Sequence, residues 1–242
     1  PAPVLLLAYG AYGVSLDLSF RPEIPPLLDR GWVIVYAHVR GGGELGRRWH
    51  AQGKGAKKMN SIQDYLSCVE WLIERGWTRP GLLVGQGASA GALVVAGGIH
   101  RCPEVFGGMI LKVPFLDLAR TMTDPNLALT VHEYEEWTEG RDPRRDREVE
   151  ARLRELSPYD SLDLLLQSTA AGEREGGGGE GGGGKALPPT LLIASLADHR
   201  VRYWEAAKYA AKARGMREGE RSGEVLLRME GDRAHEAPTA QT

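Results

Sequence analysis

The chain has 242 residues, 42% hydrophobic and 26% charged, enough for one full core and better suited to a single large α/β domain than to two small ones. A formal net charge of −2 excludes a global basic field that would recruit nucleic acid or an anionic membrane, and no apolar run approaches the roughly 20 residues of a spanning helix. With only Cys68 and Cys102, neither a disulfide framework nor a four-ligand zinc site is expected, and a reducing, cytoplasmic compartment is.

In chain order, Val4–Tyr9 is the first of six apolar runs with the length of buried strands. Trp32–Val39 follows and contains His38. Ile62, Tyr65, Leu66, Val69, Leu72 and Ile73 then repeat at helical spacing, with Ser61 before them as a candidate N-cap. Leu82–Val84 is the third strand, Ala92 to Ile99 a buried helix and Met109–Val113 the fourth strand. Asp142 to Leu156 is dense in charge, yet Val149, Leu153 and Leu156 share one face, the pattern of a solvated amphipathic helix. Residues 172–185 hold two GGGG blocks around Glu180 and bury no apolar area, so they read as a flexible inserted loop. Thr190–Ala194, a helix from Trp204 to Ala213 and the strand Val225–Met229 complete the pattern. Near-continuous apolar strands alternating with helices predict a doubly wound, mostly parallel α/β fold with helices on both faces, and a Gly-x-Ser-x-Gly turn between the third strand and its helix makes it the α/β-hydrolase type. It is expected to occupy residues 1–242 as one domain.

Gly87-Ala88-Ser89-Ala90-Gly91 lies between the third strand and the helix that follows it. A nucleophile on such a strained strand-to-helix turn needs small neighbours, and the helix N-terminus supplies amide donors for a developing oxyanion. Ser89 is therefore the candidate nucleophile. It requires a base, and the base an orienting acid, in the chain order Ser, Asp or Glu, His. Of the six histidines, His38, His50, His100 and His132 come too early, and His199 directly follows Asp198. His235, after the last strand, and Asp198, after the fifth, satisfy both order and placement.

Beyond the elbow, several segments are distinctive: Tyr9-Gly10-Ala11-Tyr12-Gly13, Ala37 to Gly46 with Trp49, Val113-Pro114-Phe115, Leu129-Thr130 with Glu133 to Trp137, Ser157-Pro158-Tyr159-Asp160, and Asp198 to Val201 with Tyr203-Trp204-Glu205. On these the chain resembles the catalytic domain of the prolyl oligopeptidase family, in its oligopeptidase B-like branch. The resemblance implies that the Tyr9 hydroxyl and the Ala90 amide form the oxyanion hole, where one donor is worth on the order of 3 kcal/mol. It implies that Arg200 holds a substrate carbonyl, and that Glu133 and Glu135 receive an Arg or Lys side chain of a short peptide substrate. No metal or organic cofactor is implied. An N-terminal β-propeller of the same chain is implied as partner, and the sequence, opening at Pro1, is expected to be a fragment lacking it.

Two motif matches carry no weight here. Gly41-x-Gly43-x-x-Gly46 matches the dinucleotide fingerprint, but the acidic residue at the required spacing, Asp64, lies in a helical pattern. His132-Glu133-Tyr134-Glu135-Glu136 lacks the second histidine of a zinc-peptidase helix. Glu236-Ala237-Pro238 follows His235 where the family has glycine, and a carboxylate beside the imidazole is expected to raise its pKa or draw it away from Ser89. A serine peptidase is the leading reading; an esterase or thioesterase on the same triad, and a non-catalytic domain keeping the fold, remain open alternatives.

Overall fold

The computed structural model describes residues 1–127, 130, 132–163, 165, 186–215, 223–232 and 234–235. The expected Gly-rich loop at 172–185 lies outside them. Among the described residues six strands, β1 (Val4–Ala8), β2 (Val33–Ala37), β3 (Leu83–Ala88), β4 (Phe106–Lys112), β5 (Thr190–Ser195) and β6 (Val225–Glu230), form one sheet ordered β2-β1-β3-β4-β5-β6, with every neighbouring pair parallel. Each apolar run therefore became a strand. The third extends to Ala88 because Gly85, Gln86 and Gly87 continue the ladder against β1 without contributing an apolar signal. The trace reverses direction between β1 and β3, so the crevice beyond their C-terminal ends is where a ligand site is expected.

The helices are α1 (Pro25–Leu28), α2 (Arg47–Ala51), α3 (Met59–Glu74), α4 (Ala90–Ile99), α5 (Leu118–Thr123), α6 (Tyr134–Thr138), α7 (Arg147–Leu156) and α8 (Tyr203–Gly215). Helix α3 buries Ile62, Tyr65, Val69 and Leu72 against α4, as their spacing required. Every residue of α4 is buried, so it is the central helix of that layer. α8 packs on β5 and β6 and is tied to the end of α4, where the neutral ring of His100 bonds Ser161 Oγ at 2.6 Å and Tyr209 Oη at 2.7 Å. Burial drives the His100 pKa down to about 3, so it is a structural connector without charge. The opposite sheet face carries an apolar groove of about 290 Å³ between α1 and residues such as Leu7, Ile110 and Ile193.

Three local expectations change. Ser61 is not a cap: α3 begins two residues earlier, and the Ser61 hydroxyl donates to the Arg40 carbonyl at 2.5 Å. His38 lies beyond β2 and is exposed rather than held in a buried strand. The charged segment becomes helical only at Arg147, where Asp146 caps α7 by accepting from the Glu148 and Val149 amides. Its apolar stripe of Val149, Leu153 and Leu156 is buried, as read from the sequence.

Candidate active site

Ser89 sits between β3 and α4 with φ 51° and ψ −126°, a left-handed conformation costly for a residue with a Cβ. It is held there by three backbone bonds: its own amide to the Lys112 carbonyl, and its carbonyl from the Ala92 and Phe115 amides. The flanking glycines are obligatory by packing. A Cβ on Gly87 would lie 2.6 Å from the Gly91 carbonyl, and one on Gly91 would lie 2.6 Å from the Ala8 carbonyl and 2.9 Å from Tyr9 Cα. The turn thus presses the start of α4 against the end of β1, which brings Tyr9 and Ser89 into one cavity.

That cavity, about 250 Å³, is lined by Tyr9, Ser89, Glu133, Arg200 and His235 among others. His235 Nε2 is 2.9 Å from Ser89 Oγ, and His235 Nδ1 is 2.7 Å from Asp198 Oδ2. The other Asp198 oxygen accepts from the Arg200 and Val201 amides at 2.9 and 3.0 Å. Burial works to raise the Asp198 pKa, but the His235 hydrogen bond and the two amides outweigh it, and the net shift is downward. An ionised Asp198 only accepts, so Nδ1 carries the ring proton and Nε2 is left to accept from Ser89. Glu236, whose neighbouring charge was expected to matter, lies outside the described residues.

Tyr9 follows β1 at the cavity wall. Burial raises its pKa, Arg200 opposes this, and Glu133 and Glu136 add to it, so the hydroxyl remains a proton donor at neutral pH. The Ala90 amide is the first of α4 and has no acceptor within the helix. Tyr9 shares the cavity with Ser89, and Ala90 is its neighbour in the chain.

The three glutamates of α6 and its approach separate clearly. Glu133 is half-buried on the cavity wall, accepting from Tyr12 Oη at 2.6 Å and Trp137 Nε1 at 3.3 Å. Glu135 is 73% exposed, pairs with Lys54 and does not line the cavity. Glu136 is buried, with His50 at 2.7 Å, Lys58 at 3.4 Å and the Tyr12 amide at 3.0 Å. Glu133 and Glu136, three apart, share the inner side of the turn while Glu135 points outward. Among the described residues no Lys, Arg or His pairs with Glu133, whereas Glu135 and Glu136 both have cationic partners. Helical spacing alone could have shown this. Tyr12 and Lys58 had no comparable signal, because their partners lie far along the chain.

The glycine-rich stretch after β2 folds back on the loop after β1: a Cβ on Gly41 would lie within 2.2 Å of the Gly10 carbonyl. Asp64 is occupied by a two-point contact with Arg40 at 2.5 and 2.7 Å. These contacts hold the stretch after β2 against the loop after β1, with the glycine positions and Asp64 already occupied by the chain itself. Among the described residues, no three His, Cys, Asp or Glu side chains are grouped to hold a metal ion, and no helix is long and apolar enough to cross a membrane.

Residues 18–242 match the family model of the prolyl oligopeptidase family. The chain is 34% identical over 234 residues to dipeptidyl aminopeptidase BI of Pseudoxanthomonas mexicana, covering 97% of this chain and 29% of that protein. It is 34% identical over 217 residues to protease 2 of Moraxella lacunata, covering 90% and 28%. Its fold is similar to that of oligopeptidase B from Trypanosoma brucei with covalently bound antipain, with a TM-score of 0.82, 35% identity, and coverage of 97% of this chain and 30% of that one. The chain spans about 30% of the length of these relatives.

Proposed function

This chain belongs to the prolyl oligopeptidase family, and from that membership we propose that it is the catalytic domain of an oligopeptidase B-like serine peptidase that cleaves short peptides after Arg or Lys. The observation that carries the reading is the unbroken line from Ser89 Oγ through the His235 ring to Asp198, at 2.9 and 2.7 Å. In the proposed reaction His235 Nε2 takes the proton of Ser89 as Oγ attacks the scissile carbonyl. Asp198 keeps the ring in the required tautomer and stabilises the imidazolium that forms. The Tyr9 hydroxyl and the Ala90 amide receive the developing oxyanion. His235 then protonates the leaving amine, and water releases the acyl group by the reverse sequence of proton transfers. Arg200, which lines the same cavity, holds a substrate carbonyl.

The preference for a basic side chain rests on Glu133, a cavity carboxylate whose charge no protein cation neutralises among the described residues. An arriving guanidinium or ammonium would find there the counter-charge it needs to leave water. Glu135, exposed and already paired, belongs to the rim. The β-propeller of the family is the proposed partner domain that limits access to small peptides.

A fluorophosphonate probe labels only an activated serine, so it is expected to label Ser89 and to fail on Ser89→Ala. An arginyl peptide amide should be turned over in preference to a simple acyl ester, and Glu133→Gln should reduce that preference on the order of 100-fold. Absence of labelling would favour a non-catalytic domain, while labelling with no preference for arginine would favour an esterase.

A further inference from the structure

Tyr12 belongs to none of the groups that act in the proposed reaction, yet it is held more elaborately than any other residue of the loop after β1. Its backbone is left-handed, with φ 57°, a conformation that a tyrosine adopts only when its surroundings require it. The requirement comes from below. Glu136 Oε1 accepts the Tyr12 amide at 3.0 Å. Glu136 is in turn fixed by His50 Nε2 on its other oxygen, at 2.7 Å, and by Lys58 Nζ at 3.4 Å. Lys58 is fully buried and donates to the Gly10 and Gly53 carbonyls at 2.6 and 3.0 Å, so it ties the Tyr12 loop to the turn after α2. The Tyr12 ring stands edge-on to Trp137, 5.8 Å between centroids at 88°.

This scaffold aims one hydroxyl. Tyr12 Oη donates to Glu133 Oε2 at 2.6 Å and itself accepts from Trp137 Nε1 at 3.1 Å. Trp137 Nε1 also reaches Glu133 Oε2, at 3.3 Å. Both neutral donors therefore converge on the same carboxylate oxygen. They stabilise the charge without cancelling it and fix the rotamer of a carboxylate that lines the cavity. A free glutamate at this position would lose side-chain freedom on meeting a cation, and that entropic cost would weaken binding.

We infer that Tyr12 is a specificity-positioning residue: held by Glu136 and Lys58, it presets the Glu133 carboxylate to receive the basic side chain of a substrate. The inference rests on the proposed role of Glu133, and the two can be told apart. In the natural full-length protein, kcat and KM are measured for paired peptide amides that differ only in arginine or leucine before the scissile bond, with the parent, Tyr12→Phe, Glu133→Gln and the double variant. Tyr12→Phe removes one oxygen and keeps the ring. It is expected to lower the arginine-to-leucine ratio of kcat/KM about tenfold, through KM for the arginine substrate. The double variant should match Glu133→Gln alone, since Tyr12 acts only through Glu133. The inference is overturned if Tyr12→Phe leaves the ratio unchanged while Glu133→Gln collapses it, if both substrates suffer equally, or if the two effects multiply. A ratio indifferent to Glu133→Gln would remove the basic-substrate reading itself and this inference with it.

Discussion

Asp198 divides its carboxylate between chain and ring, one oxygen on the Arg200 and Val201 amides and the other on His235. An asparagine there must keep its oxygen toward the two amides, which turns its NH2 toward Nδ1 and forces the ring proton onto Nε2, facing Ser89. Asp198→Asn is therefore expected to lower kcat on the order of 10³–10⁴-fold with little change in melting temperature, measured by steady-state kinetics beside thermal unfolding. At this scale much was legible: Ser89 from its small neighbours, Asp198 and His235 from chain order and their places after strands. Glu135 is set apart from Glu133 by its exposed ion pair with Lys54, because residues two apart on a helical turn do not share a face. Tyr12 has no role legible in its motif, since the carboxylate it bonds lies 121 residues away.

Among the elements, α8 contributes most from a position outside the cavity. Its third residue, Glu205, is buried and accepts from the Leu116 and Asp117 amides and from Thr121 Oγ1 at 2.7–2.9 Å. It thereby caps the start of α5, which brings Thr121 and Met122 to the cavity. Burial raises the Glu205 pKa to about 7; its hydrogen bonds oppose this, and nearby Asp117, itself paired with Arg120 and Lys208, adds to it. A raised carboxylate pKa gives stability that is complete below the unfolded value near 4.5 and is lost as pH rises toward 7. The loss amounts to about 3 kcal/mol if the whole shift is realised. Glu205→Gln should remove it, so denaturant unfolding at pH 5 and pH 8 is expected to show the variant gaining on the parent at the higher pH. Long periodic elements such as α3 were readable because one face is simply apolar. The short α2, α5 and α6 were not, since fewer than seven residues are held by contacts such as His50 with Glu136 rather than by propensity.

Taken whole, the described residues share one hydrophobic core that runs from Val4 and Leu111 in the sheet through Trp137 and Leu153 to Tyr209. The segment carrying α5 to α7 is thus built into the body of the domain, and we propose that residues 1–242 form a single unit. Calorimetric unfolding is then expected to give one transition whose calorimetric and van't Hoff enthalpies agree. The parallel order of the sheet has a further consequence. Ser89 leaves β3 and Asp198 follows β5, with only β4 between. Neighbouring strands are spaced about 4.8 Å apart, so the gap is fixed near 10 Å before any side chain is chosen. One imidazole with a hydrogen bond at each end, here 2.9 and 2.7 Å, spans about 8 Å, and the serine and aspartate side chains make up the remainder. The sheet serves as a ruler for proton transfer, and loops around it are free to vary in length so long as the number of strands between serine and aspartate does not.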